Sequence, residues 1–153
     1  MAGNSRLATA IHVAGMLSFT DKMPKTSDNL AKSVNTNPVV IRRIIGLLTK
    51  NGIVKVKMGA GGGACLAKKP EEITLAEIYL ALEENTVFDV PQLDESHHCH
   101  LSKIVRPVLS EILQKAEENL LEGLRQVTLA DVIEKVKTRM MQQLNCAEIK
   151  TNG

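Results

Sequence analysis

Apolar positions recur along this chain with two different periods, and the change of period marks its organisation. Leu30, Ala31 and Val34 share one side of TSDNLAKSV, while Ile41, Ile44, Ile45 and Leu48 fall at i, i+3, i+4 and i+7 of PVVIRRIIGLLTK. Both are helical patterns with one face turned to a core. Ser27 is the expected cap of the first helix, because its hydroxyl accepts from an orphan N–H of the first turn. Asn35-Thr36-Asn37 forms the turn between the two. Asn37 caps the second helix and Pro38 takes its first position, where a missing N–H costs nothing. Asn51-Gly52 closes it. The period then drops to two, with Ile53, Val54 and Val56 set against Lys55 and Lys57, as in a strand with one wet face. Gly59, Gly61, Gly62 and Gly63 make the tip of a hairpin that returns through Ala64 to Ala67. Thr26 to Lys69 therefore reads as helix, turn, helix and glycine-tipped wing.

Helical periodicity continues on either side. In NSRLATAIHVAGML, capped by Asn4 or Ser5, Leu7, Ala10, Ile11, Ala14 and Leu17 fill a face that must pack under the two short helices. A loop from Asp21 to Lys25 joins them. After the wing, ITLAEIYLALEE opens with Thr74 and Glu77 as a capping box and Ile73 and Ile78 as a hydrophobic staple, and VTLADVIEKV repeats the signal with Thr128 and Asp131. Between these lie an irregular loop, Thr86 to Cys99, and a long helical pattern from about Leu101 to Gln126. That pattern carries an apolar band wider than one small domain covers, from Leu101, Ile104, Val105 and Val108 through Ile112 to Leu124; a dimer interface is the preferred reading and packing within the chain the alternative. Pro107 either kinks this helix or starts it. The fold class expected is mainly α with a small β-hairpin: a winged helix-turn-helix followed by a long dimerisation helix. The expected division is 1–70 for DNA binding, 71–139 for helical dimerisation and sensing, and 140–153 as a frayed, flexible tail.

Charge sharpens this picture. The net charge of +2 conceals eleven Lys/Arg against two Asp in 1–70, and eight against fifteen acidic residues in the remainder. A basic half bearing the helix-turn-helix pattern, joined to an acidic half, points to duplex DNA as partner. One Tyr, two Phe and no Trp leave an aliphatic core and argue against readers of single strands, which stack bases on rings. No apolar run is long enough for a bilayer, no signal-peptide pattern opens the chain, and three cysteines without framework spacing suit a reducing cytoplasm. No membrane is expected as partner.

The candidate DNA-binding residues follow from this placement. Val39, Val40, Arg42, Arg43 and Lys50 lie on the face of the second helix opposite its core stripe, with Gly46 leaving room there. Arg42 and Arg43 can each bond guanine O6 and N7 or instead hold phosphates, Arg42 can pair within the chain, and the two valines can touch thymine methyls. Arg43 is the preferred base reader. Arg6, Ser27, Thr36, Asn37, Lys55, Lys57, Gly61 and Gly62 complete the set as backbone contacts, Arg6 being equally readable as a solvated side chain. The glycine run approximates GxGxxA, but no helix follows it to receive a pyrophosphate, so a wing turn is expected instead.

With these parts in order, the chain resembles the Rrf-type winged-helix regulators, the group that includes the iron–sulfur assembly regulator, the nitric-oxide-sensing repressor and the cysteine-metabolism repressor. The run NTNPVVIRRIIGLLTKNGIVKVKMGAGGGACLAK, followed by ITLAEI, carries the resemblance most specifically. It implies a cytoplasmic bacterial homodimer on a palindromic operator, with the long helix at the dimer contact. Several members hold an iron–sulfur cluster through three cysteines before that helix. Here FDVPQLDESHHCHLSK has Cys99 alone, so no cofactor and no metal is expected.

Cys99 nevertheless stands beside His97, His98 and His100 at a helix start, where a thiol acidifies and becomes open to oxidants. Redox sensing at Cys99 is one reading and an inert exposed thiol the other. In an extended chain at most two of these four side chains face one ion, which is too few for a tetrahedral site. The function expected is a sequence-specific transcriptional regulator, read as a repressor, with an oxidant or small molecule as signal. The alternatives are a winged helix that recruits protein and a ligand-responsive regulator without redox sensing. No constellation of catalytic residues is present, so an enzyme is not expected.

Overall fold

A computed structural model describes residues 5–19, 24–82 and 99–151, the side chains of 145–151 excepted. Helix α1, Ser5–Ser18, lies at the centre of the packing. Its buried residues are Ala10, Val13, Ala14 and Leu17, with Leu7 and Ile11 half-buried against the same core. Val13 widens the expected face because α1 is covered from more than one direction, by the short helices, by the hairpin and by the last helix. The small side chains Ala10 and Ala14 allow that close approach.

Helices α2, Ser27–Val34, and α3, Pro38–Lys50, form the helix-turn-helix. The cap of α2 is Thr26, whose hydroxyl accepts from the Asn29 N–H at 3.3 Å; Ser27, the expected cap, is already helical. The reason is long-range. Lys25 pairs with Ala64 through two backbone bonds, Lys25 N–H to Ala64 O at 3.0 Å and Ala64 N–H to Lys25 O at 2.9 Å. That rung keeps the chain extended up to position 26, so the helix starts one residue after it. Asn35 ends α2 in the left-handed region. The Asn37 side chain accepts from Val39 N–H at 2.8 Å ahead of Pro38, as the sequence predicts.

The hairpin pairs β1, Val54–Lys57, with β2, Gly63–Leu66, antiparallel from Val54↔Leu66 to Lys57↔Gly63. Only its root is core. Ile53 and Val54 are buried, whereas Val56 is 46% exposed, because the ribbon runs past the body it springs from. The expected alternation therefore ends one residue into the strand. Gly63 sits where a Cβ would approach the Lys25 carbonyl oxygen to 2.6 Å, so a side chain there would disrupt the Lys25–Ala64 bridge.

A 3-10 turn at Pro70–Glu72, missed by periodicity because it is a single turn, leads to α4, Leu75–Ala81. Its capping box is complete: Glu77 N–H donates to the Thr74 hydroxyl and Thr74 N–H to the Glu77 carboxylate. Helix α5, His100–Arg125, contains Pro107 within it, so the proline does not start the helix. The expected loop from Thr86 lies outside the described residues up to position 98. Helix α6, Leu129–Thr151, opens with the second box, Thr128 and Asp131. It continues through the segment expected to fray beyond Met140, where Met, Gln, Leu, Ala, Glu and Lys are strong helix formers. The two boxes adjoin: Leu75 N–H bonds Val127 O at 2.9 Å and Leu129 N–H bonds Ile73 O at 2.8 Å. That bridge carries Leu129 and Ile133 into the same core as α1 and α3.

Candidate nucleic-acid interface

Helix α3 is anchored on one side and open on the other. Ile41, Ile44, Ile45 and Leu48 are buried. Val39 and Val40 are 64% and 40% exposed, and Arg42, Arg43, Gly46 and Lys50 are exposed beside them. A rod of this width, held by an apolar stripe and showing short apolar and long basic side chains outward, matches a major groove. Thr36 is half-buried in the turn, its N–H donating to Ala31 O at 3.0 Å, and Asn37 at the cap is exposed. Ser27 and Thr26 begin the preceding helix, and Arg6 is half-buried in the first turn of α1.

The two arginines have different surroundings. Arg42 Nη2 lies 3.6 Å from the Asp28 carboxylate, with both side chains about 60% exposed. A pair so open to water contributes roughly 0–1 kcal/mol, enough to bias a rotamer and little more. Arg43 has no acidic partner among the described residues.

Beside α3 stands the ribbon. Lys55 and Lys57 project from β1, with Lys68 and Lys69 exposed where the hairpin ends. Lys68 Nζ is 2.9 Å from the Glu77 carboxylate, which ties the wing root to the first turn of α4. Gly61 and Gly62 form the tip. Gly62 N–H donates to Gly59 O at 3.0 Å, and a Cβ at Gly62 would collide with the Lys57 carbonyl. A thin tip made of backbone can approach phosphates closely. Strand β2 follows directly, so the glycine run has no helix to present to a dinucleotide.

Cys99 is exposed and precedes the first turn of α5. The Ser102 hydroxyl, then the Ser102 backbone N–H, hold its thiol below the ordinary cysteine range by stabilising the thiolate. His100 is the first residue of α5, and His97 and His98 lie outside the described residues. Sequence reasoning missed Lys25 as a bridge partner on the outer edge of β2; its partner Ala64 is thirty-nine positions away, and no local pattern encodes the pairing. It also passed over Lys68 as a strut to Glu77, for which a basic residue just outside a capping box is a usable signal.

Residues 4–135 match the family model of Rrf2, described as an iron-dependent transcriptional regulator. The chain is 35% identical over 130 residues to YwnA of Bacillus subtilis strain 168, assigned as an HTH-type transcriptional regulator, covering 85% of this chain and 96% of the relative. It is 33% identical over 107 residues to the HTH-type transcriptional regulator NsrR of Bacillus licheniformis, covering 69% and 72%. Among solved structures, one assigned as a DNA-binding protein superposes with a TM-score of 0.68 at 37% identity, covering 84% of this chain and 99% of that one. The IscR structure from T. potens shares the fold, with a TM-score of 0.66 at 22% identity over 89% and 88% of the two chains. Three thiols do not gather at the start of α5, where Cys99 stands. Beyond Cys99 the thiols are Cys65 in β2 and Cys146 in α6, and among the described residues no three His, Cys, Asp or Glu side chains gather to hold an ion. No helix among the described residues is long and apolar enough to cross a membrane.

Proposed function

The chain belongs to the Rrf2 family of DNA-binding transcriptional regulators, and from that premise we propose that it represses transcription as a homodimer on a palindromic operator. The observation that carries the reading is the exposed basic face of α3, anchored by a fully buried stripe and flanked by the lysine ribbon. Arg43 reads base edges, with Val39 and Val40 against thymine methyls. Arg42, Lys50, Lys55, Lys57, Arg6, Ser27, Thr36, Asn37 and the tip glycines Gly61 and Gly62 set the helix on the backbone. Two copies related by a twofold axis place two such helices one DNA turn apart, ~34 Å. Occupancy of a promoter by such a pair blocks transcription without any further activity.

Self-association is supported by α5, which contains no buried residue although its apolar side chains Leu101, Ile104, Val105, Val108, Leu109, Ile112 and Leu120 are 40–68% exposed. An oxidant is the proposed signal. The Cys99 thiolate attacks a peroxide oxygen, the O–O bond breaks, and a sulfenate and water result. The altered group stands at the start of the helix assigned to dimerisation.

Selection of bound fragments from random duplex DNA tests the function directly. One palindromic motif is expected, with Arg43→Ala losing about 1–3 kcal/mol on it and relaxing one position. Lys55→Ala is expected to weaken every sequence alike and to flatten the salt dependence by about one unit of slope. Equal loss for Arg43→Ala on random DNA assigns Arg43 to phosphate. A monomer indifferent to duplex DNA at low salt overturns the proposal. Peroxide is expected to release DNA from the wild type and not from Cys99→Ser; equal release from both removes the redox step.

A further inference from the structure

Strand β1 carries two rows of side chains, and both run out beyond the body of the protein. Lys55 and Lys57 form one row, paired across the ladder with Cys65 and Gly63. Val54 and Val56 form the other, because successive side chains of a strand point to opposite faces. Met58, one residue past the strand end, falls next in that second row. Val54 is buried, Val56 is half-exposed and Met58 is 86% exposed, more than any other large apolar side chain among the described residues. Neither Val56 nor Met58 belongs to the core. Both occupy places where further lysines would suit a ribbon that only gripped phosphates. Between Met58 and Ala64 only Ala60 has a side chain, so the methionine projects from a tip that is otherwise bare backbone.

We propose that Met58 is a wedge that enters the minor groove beside the α3 footprint and partly unstacks one base step there. This rests on the operator-binding reading above and adds a specificity-determining residue to it. Charge selects the occupant: the lysine row on the other face of the same ribbon favours a polyanion, and the apolar tip meets the sugars and base edges between its phosphates. Shape agrees, since a glycine tip with one unbranched side chain is slim enough for a groove ~6 Å wide. Reach agrees as well. Met58 stands ~14 Å along the strand from Val54, which is buried where β1 packs on α3. With α3 in a major groove, the neighbouring minor groove lies about half a DNA turn away, ~17 Å. The methionine side chain spans the difference. Lysines and backbone groups that meet phosphates carry no sequence information. A wedge does, because the energy of unstacking depends on the step, and the pyrimidine–purine steps TA and CA/TG open most readily. The sequence read by each subunit therefore extends past the base pairs that α3 touches, to a flexible step beside them.

Met58→Ala removes the wedge from an exposed position outside any helix, so its melting temperature should match the wild type's. Met58→Leu keeps an apolar side chain of similar volume. The probe is the duplex that the wild type selects from random DNA, with each flanking step in turn set to TA or to the stiff AA. At one flanking step the wild type is expected to favour TA by about tenfold, the order of a single base-pair position. Met58→Ala should lose that preference and Met58→Leu should keep it. Adenine replaced by 2-aminopurine at the same step should brighten when the wild type binds and stay quenched with Met58→Ala. The salt dependence of binding should be the same for all three proteins, because no cation has been removed. If the wild type discriminates at no flanking step, or if Met58→Ala discriminates like it, the wedge falls and the operator-binding reading stands. An equal loss by Met58→Ala on every flank, with no change in 2-aminopurine signal, also overturns the wedge. A wild type that retains no duplex from the random pool at low salt overturns both.

Discussion

Helices α3 and α5 carry apolar stripes of the same chemistry and meet opposite ends. The thirteen residues of α3 bury Ile41, Ile44, Ile45 and Leu48, whereas the twenty-six of α5 bury none. Periodicity therefore reports that a helix has a partner and not which partner it has. For α3 the partner is within reach in sequence: α1, α4 and β1 close over it inside the first 82 residues. For α5, no residue is buried, and the apolar side chains of its first half stay exposed among the described residues. Under the proposed homodimer, the difference also separates two kinds of stability, one intrinsic to the folded chain and one dependent on concentration.

The largest expected effect is at α3. Ile44→Ala removes a fully buried side chain from a close-packed aliphatic core and should cost about 2–5 kcal/mol of unfolding free energy at any protein concentration. The same exchange in α5, Ile104→Ala, should move monomer stability by no more than about 0.5 kcal/mol, because its site is 66% exposed. Chemical denaturation across a dilution series separates the two. A concentration-independent loss at Ile104 as large as at Ile44 would break the comparison.

The same contrast explains what could be read without coordinates. Signals carried by neighbouring residues were legible: the Asn37-Pro38 start, the Thr74/Glu77 and Thr128/Asp131 boxes, the stripe of α3 and the glycine-tipped hairpin. Signals set by distant pairing were not. Thr26 replaces Ser27 as cap because Lys25 bonds Ala64 across the hairpin, and two adjacent hydroxyls cannot be ranked without that rung. Val56 looked like core from its alternation, yet burial depends on how far the ribbon projects. The candidate DNA face was legible because it needs only the side of α3 opposite its stripe. The apolar groove between α1 and α6, lined by Ile11, Phe19, Val132 and Val136 among others, was not, since it needs two helices more than a hundred residues apart.

Between the two regions lies the paired start of α4 and α6, and its caps carry the next effect in size. Thr74→Ala removes the acceptor for Glu77 N–H and should cost about 0.5–2 kcal/mol. Thr128→Ala should cost a similar amount through Asp131 N–H. Because Leu75 and Leu129 bond across this junction, the pair sharpens the comparison further. Loosening it should increase amide exchange in both α4 and α6 while leaving α3 protected. Exchange that rises uniformly in α3 as well shows a single cooperative unit instead.

The smallest effect is an acid dependence confined to that junction. Hydrogen bonds from the Thr74 backbone N–H, with Lys68 assisting, hold the Glu77 carboxyl below its ordinary range; those from Thr128 do the same for Asp131. A carboxylate whose folded pKa is depressed binds fewer protons folded than unfolded in the window between the two values. Its contribution is therefore fully present above the ordinary carboxylate range and is lost as pH falls through the depressed folded values. Both groups are solvated enough that the loss is modest, below that of deleting a cap. Melting temperature should fall on acidification for the wild type, and the fall should be shallower in Glu77→Gln and Asp131→Asn, which keep the acceptor oxygen without the charge. Helix α3 carries its buried stripe without any ionisable group, so Ile44→Ala should shift the whole pH profile downward without changing its slope. A slope altered by Ile44→Ala and untouched by Glu77→Gln would place the acid sensitivity in the reading half rather than at the junction.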